Sequence, residues 1–183
     1  DDLINMGCEL MILVCMDPSG SVPAFERCLA VDNMVTVIVD APCNGSEKAD
    51  AVIVSDNYEA GRMEMEKLCD AIGGKGNVVM ISDSTNPNAA IRESGANDEL
   101  KNWPDVNLLE IRDIKSSVEN AMTATTDLLN VYVDEGIDGI WTFSDTPAQG
   151  AVSAVQSLGY ADKVLVTGID GNATAKELIR DGQ

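Results

Sequence analysis

The sequence predicts an α/β protein built on parallel, doubly wound sheets, and three observations carry that expectation. Seven short apolar runs rich in β-branched residues read as strands: Leu10–Cys15, Val35–Val39, Ala51–Ser55, Val78–Ser82, Val106–Ile111, Gly139–Phe143 and Val164–Thr167. They lack the polar alternation of a half-exposed sheet, as strands buried on both faces do. Most are separated by segments whose apolar residues recur three and four positions apart, the pattern of a helix with one buried stripe. The third observation is an exception. Val35–Val39 and Ala51–Ser55 are joined by APCNGSEKAD, which leaves no room for a helix.

In chain order, Asp1–Met6 reads as the last turns of a helix. One strand–helix unit and the two joined strands follow. That is too little for a complete lobe, so residues 1–55 are expected to form a partial N-terminal lobe. A helix over Tyr58–Ile72 places Gly61, Met65, Leu68 and Ile72 on one face, and Gly73-Gly74 stops it. A helix after Val78–Ser82 carries Arg92. The next shows Val118, Ala121, Met122, Thr125, Leu128 and Leu129 and stops at Gly136. Another shows Ala148, Ala151, Val152, Val155 and Leu158 and stops at Gly159. Four strand–helix units after Ser55 make residues 56–183 a second lobe, with a hinge near residues 55–57. The first lobe is expected to be incomplete, with material missing at both ends of the chain.

Composition removes several function classes. Among 183 residues, 12 are Lys or Arg and 31 are Asp or Glu, for a formal charge of −19. A chain this acidic repels phosphate backbones, so no nucleic acid is expected as a partner. It has no histidine, which excludes a Ser-His-Asp triad, a Cys-His dyad and any His-bearing metal site within it. Neither a metal nor a cofactor is expected. The five cysteines, Cys8, Cys15, Cys28, Cys43 and Cys69, form no C-x-x-C pair, and their odd number cannot complete a disulfide framework. Cys15, Cys28 and Cys69 read as small buried hydrophobes. Cys43 lies in a loop and is the thiol to test for reactivity. No apolar run approaches the ~20 residues that span a bilayer.

The strand ends carry the chemistry. At or just past successive strands stand Asp17, Asp40, Asp56, Asp83, Asp113, the pair Ser144-Asp145, and Asp170. In open parallel sheets ligands bind outside the carboxyl ends of the strands. Asp56 and Asp145 read as helix N-caps or hinge contacts. Asp40 has no helix to cap, because an extended loop with Pro42 follows it. Asp170 ends the run VLVTGID, and Asn172 or Thr174 could cap the helix after it instead. Arg92 lies about one turn into its helix, where a cation opposes the helix dipole, so its place calls for a partner anion or a ligand.

Carboxylates, one guanidinium and a hydroxyl without a nucleophile–base pair suit binding rather than catalysis. They fit a neutral polyhydroxylated ligand, whose hydroxyls accept from a guanidinium edge and donate to carboxylates. A wrong epimer would leave such groups unpaired. Phosphate fits less well. Asp17-Pro18-Ser19-Gly20 lacks a lysine, and Gly73-Gly74-Lys75-Gly76 precedes a strand and reads as a turn.

SDNYEAGRMEMEKL, GKGNVVMI, NAAIRESG, GIDGIWTFSDTPAQGAVSAVQSLG, VLVTGIDG and ELIRDGQ, in this order and spacing, resemble the type I periplasmic sugar-binding proteins of ABC transporters. The ribose-, galactose- and xylose-type members are of this group. The resemblance implies a two-lobed periplasmic-binding-protein-like fold of Rossmann-like lobes, with Ser55-Asp56-Asn57 as the first hinge crossing. It implies that Asp40, Arg92, Ser144 and Asp170 bind a sugar, Ser144 standing where ribose-type members carry Asn. It further implies a monosaccharide or polyol held in an interlobe cleft, delivery to an ABC transporter permease, and a monomer. The expected location is periplasmic or extracytoplasmic, free or lipid-anchored. Two other readings share the fold: the effector-binding domain of a cytoplasmic lac-repressor-type regulator, and a sugar-sensing receptor ectodomain. GGKGNVVMI lacks the Gly-His-Arg turn typical of the former. An enzyme of doubly wound fold would need a catalytic constellation that this chain lacks.

Overall fold

In the computed structural model, which describes residues 1–15 and 17–182, the chain forms two units, Asp1–Asp56 and Asn57–Gln183. The first contains α1 (Asp2–Asn5), β1 (Leu10–Leu13), α2 (Val22–Leu29), β2 (Val35–Val39) and β3 (Ala51–Ile53). Its three strands are parallel in the order β1-β2-β3, with Leu10 opposite Val35 and Val37 opposite Ala51. The segment between β2 and β3 is short for a parallel crossover. It is not helix-free as expected, for Ser46–Lys48 make one 3-10 turn. Asp50 then ties the segment back to the sheet, accepting from the Thr36 N–H at 2.8 Å and its hydroxyl at 3.0 Å.

Phe25 of α2 packs with Cys15, Ile38 and Cys43 on one face of this sheet. Cys43 is 5% exposed, with the Ser46 hydroxyl 3.7 Å from its Sγ. The thiol that its loop position marks for reactivity is therefore a buried one, because the 3-10 turn folds it inward. On the opposite face Leu10, Ile12, Val14 and Val35 are exposed, an apolar stripe set by the two-residue repeat of a strand. Asp17 accepts from the N–H groups of Ser19 at 2.9 Å and Gly20 at 2.7 Å. Its own carboxylate thus occupies the amides that a phosphate would need.

The second unit contains α3 (Asn57–Ala71), β4 (Gly76–Ser82), α4 (Pro87–Leu100), β5 (Val106–Asp113), α5 (Val118–Val131), β6 (Gly139–Thr142), α6 (Asp145–Ser157), β7 (Leu165–Thr167) and α7 (Ala173–Arg180). The strands are parallel in the order β5-β4-β6-β7. Alternate residues of β4 face opposite ways. Val78 and Met80 pack with Met65 and Leu68 of α3 and Ala89 and Ala96 of α4. Val79 and Ile81 pack with Leu128 of α5 and Ala151 and Val155 of α6. Helices therefore cover both faces of the sheet. The chain leaves β4 toward β5 on one side and returns to β6 on the other, which places a topological switch point between β4 and β6.

Two glycines set how closely α3 and α4 approach. A Cβ on Gly61 would lie 1.9 Å from the Arg92 carbonyl oxygen, and one on Gly95 would lie 2.0 Å from that of Tyr58. Arg62 clamps the same pair of helices, donating to Glu59 of α3 and to Glu99 of α4, each at 2.8 Å. Side-chain caps fix the helix starts: Asn86 for α4, Ser117 for α5 and Asn172 for α7.

Candidate ligand-binding site

The register of the second sheet collects its polar residues. Ile81 of β4 lies beside Thr142 of β6, and Trp141 of β6 beside Thr167 of β7. The residues just beyond, Phe143 to Asp145 and Gly168 to Gly171, consequently emerge at one end of the sheet. Arg92 reaches them from α4. Its Nε donates to Asn57 Oδ1 at 2.8 Å, and its Nη1 donates to the Phe143 carbonyl at 2.8 Å and to Asp170 Oδ1 at 3.3 Å. The partner anion that its place in the helix calls for is Asp170. The Arg92 side chain is 12% exposed and that of Asp170 50%, so the carboxylate is the more open member of the pair.

Asp170 has φ +118°, a left-handed backbone that non-glycine residues seldom adopt. Such a residue costs about 1–3 kcal/mol and persists where its surroundings impose it. Here Asp145 imposes it. Its N–H donates to the Ile169 carbonyl at 2.8 Å, and its Oδ2 accepts from the Asn172 N–H at 2.7 Å, bracketing the turn on both sides of Asp170. Gly168 makes room for this, since a Cβ there would lie 3.0 Å from Asp145 Oδ1.

Of the two roles expected of Asp145, helix N-cap or hinge contact, the structure removes the first. Ser144 occupies the N-cap position of α6, and its side chain makes no capping hydrogen bond. Asp145 is the first residue of the helix, and its carboxylate reaches sideways to the neighbouring loop. Asp145→Ala removes that acceptor and leaves the Asn172 N–H without it. A melting-temperature loss corresponding to about 1–3 kcal/mol is expected from thermal unfolding.

The other strand-end carboxylates are committed to their loops. Asp83 Oδ1 accepts from the Thr85 N–H at 3.0 Å and its hydroxyl at 2.6 Å, while Oδ2 accepts from the Ser116 N–H at 3.0 Å. Asp113 accepts from the Ser84 N–H and hydroxyl, both at 2.7 Å, which hold its carboxyl below the usual range. Asp40 belongs to the first unit. It follows β2 with φ +66°, and its N–H donates to the Ile53 carbonyl at 2.9 Å. Thus Arg92 and Asp170 are in contact, Ser144 adjoins the Phe143 carbonyl that Arg92 uses, and Asp40 is positioned by its own sheet.

Sequence reasoning missed Asn57 as the residue that holds Arg92, and it missed Glu64. Glu64 stands on the buried face of α3, one turn past Gly61. The signal was available, since a lone carboxylate interrupts an otherwise apolar stripe there. Burial pushes its carboxyl well above the ordinary glutamate range. Among the described residues, no group of three or more Asp, Glu or Cys side chains could hold a metal ion, and no helix is long and apolar enough to cross a membrane.

The second unit is a parallel, doubly wound, Rossmann-like lobe that brings a guanidinium and a carboxylate together beyond the carboxyl ends of its strands, the end at which open parallel sheets bind ligands. The chain belongs to the periplasmic binding protein domain family, whose model matches residues 1–183. Members of this family are carriers of solutes, not enzymes.

Among the proteins it resembles is a D-apiose import binding protein of Paraburkholderia graminis, 27% identical over 180 residues, which cover 98% of this chain and 56% of that protein. A D-allose-binding periplasmic protein of Escherichia coli K12 is 28% identical over 136 residues, 73% of this chain and 43% of that protein. Among solved structures, an ABC transporter periplasmic solute binding protein from Actinobacillus succinogenes 130z with bound D-allose superposes with a TM-score of 0.90 at 28% identity. The match covers 99% of this chain and 66% of that one. The chain spans about half the length of the curated relatives it matches.

Proposed function

We propose that this chain is part of an ABC transporter solute-binding protein that takes a small carbohydrate, a monosaccharide or polyol, into a cleft between two lobes and delivers it to the transporter's permease. The observation that carries this reading is Arg92, pinned by Asn57 and Phe143 so that its remaining contact is the half-exposed Asp170. A guanidinium edge donates to sugar oxygens and a carboxylate accepts from sugar hydroxyls, so the pair offers both halves of what a vicinal diol needs.

Residues 1–55 then belong to the N-terminal lobe and residues 56–183 to the C-terminal lobe, with the hinge near 55–57. Asp40 and Ser144 complete the assigned ligand contacts with Arg92 and Asp170. The relatives support the substrate class, since their names cite apiose, allose and xylitol. The periplasmic relative supports an extracytoplasmic location. The protein works there as a monomer, free or lipid-anchored.

Thermal unfolding of the full-length protein with D-apiose, D-allose, D-ribose, xylitol and myo-inositol tests the proposal. A sugar at a hundred times its Kd stabilises by about 2.7 kcal/mol. A raised melting temperature with one of these or a close relative is the expected result. No shift across a broad millimolar panel of sugars and polyols would overturn it.

A further inference from the structure

Glu64 is a buried titratable group that the site as described does not use. Gly61 brings α3 against the Arg92 backbone. Glu64 lies three residues further along on the same buried face, near enough to Arg92 for the guanidinium charge to act on its carboxyl. It is 8% exposed, and among the described residues neither of its carboxyl oxygens has a hydrogen-bond partner of ordinary geometry. The hydroxyl of Thr167, at the end of β7, lacks one too.

Among the described residues, the charged groups that act most strongly on Glu64 are Arg92 from α4, Asp145 from α6 and Asp170 from the loop after β7. Strands β6 and β7 contain no charged residue. An isolated carboxylate in such a place is disfavoured, whereas the neutral acid has an O–H to donate. The Thr167 hydroxyl beside it donates to the ionised form and so favours loss of the proton.

We propose that Glu64 is a positioning residue of this site: as the neutral acid it leaves the Arg92 charge to Asp170 and to a ligand, and loss of its proton draws Arg92 inward and weakens binding. Burial is the largest reason that the proton is retained. Thr167 and Arg92 act against it, and the negative charges of Asp145 and Asp170 add to it. An ionised Glu64 becomes a second carboxylate competing with Asp170 for one guanidinium. The coupling to Arg92 and Asp170 stands on the geometry of the second unit, while the effect on sugar affinity rests on the proposed function.

The linkage has a definite sign. Binding of a neutral sugar over Arg92 and Asp170 favours the form in which Glu64 is protonated. Affinity is then full at acidic pH and falls as pH rises through the Glu64 titration, by about tenfold for each pH unit that the sugar moves it.

Carbon-13 NMR of glutamate carboxyls in the full-length protein, with the Glu64 signal assigned by through-bond correlation to its own backbone, reads the proton directly. Glu64 is expected to titrate above the ordinary glutamates, because burial disfavours its charged form. Asp170→Asn should lower that titration and Arg92→Gln should raise it. Neither comparison needs a sugar, and both keep the test decisive if Glu64→Gln fails to fold.

With the sugar from the panel that gives the largest thermal shift, calorimetry should show proton uptake on binding and an affinity that falls with pH. That pH dependence should be absent in Glu64→Gln, whose amide imitates the neutral acid. An ordinary glutamate titration, indifference to Asp170→Asn, or the same affinity–pH profile in Glu64→Gln and wild type would overturn the proposal. If no sugar binds, the transport reading fails, and the NMR comparison still decides the role of Glu64.

Discussion

Arg92→Ala is expected to abolish sugar binding by the full-length protein. Truncating one partner of a hydrogen-bonded charge pair in a binding site costs about 2–5 kcal/mol, at least about thirtyfold in Kd. The reason is specific to how Arg92 is held. Its guanidinium spends its donors on Asn57 Oδ1, the Phe143 carbonyl and Asp170 Oδ1, which come from three separate elements of the second unit. Alanine removes a donor from each and leaves Asp170 without the cation it faces. Lysine restores the charge but not the planar fork, so Arg92→Lys should recover little.

Asp170→Gly separates binding from folding more cleanly. Glycine adopts φ +118° without the strain that aspartate bears there, so the melting temperature of the ligand-free protein should not fall while sugar binding is lost. Isothermal titration calorimetry beside thermal unfolding checks both statements. Full binding by both variants would remove Arg92 and Asp170 from the site.

Gly61→Ala is the second large effect, and it acts through packing. The added Cβ would lie 1.9 Å from the Arg92 carbonyl oxygen, 2.5 Å from its carbonyl carbon and 2.6 Å from its Cα. Backbone of a packed helix cannot yield as a flexible side-chain tip does, so α3 and α4 must separate. A cost of about 3 kcal/mol is expected, seen as a lower urea midpoint at an unchanged slope. Because the obstructed atoms are those of Arg92, the surviving folded protein should also bind sugar more weakly. A Gly61→Ala protein of wild-type stability would mean that the two helices are not in backbone contact.

The strands and helices of the second unit were legible in the sequence because burial leaves a periodic trace. Met65 and Leu68, or Ala151 and Val155, must be apolar whatever they touch, and their spacing announces the helix. Boundaries shifted by a residue or two where an apolar residue continues past the last ladder pair, as at Phe143 after β6. Arg92 was legible for a different reason: a cation near a helix start opposes the dipole and calls for a partner. The roles of Asp145 and Cys43 were not legible. A carboxylate at the start of a helix serves equally as a cap or as a tie to a neighbouring loop, and a loop cysteine is equally exposed or folded under.

By itself the sequence determined the α/β class, the seven strands, the lack of histidine chemistry and the acid or hydroxyl at each strand end. These depend on residue type and on periodicity along the chain, which are local. Only the tertiary structure decided the order β5-β4-β6-β7, the contact between Arg92 and Asp170, 78 positions apart, and the burial of Glu64 beneath them. Those follow from which strands pair and how closely two glycines let helices approach. No local pattern encodes such long-range packing.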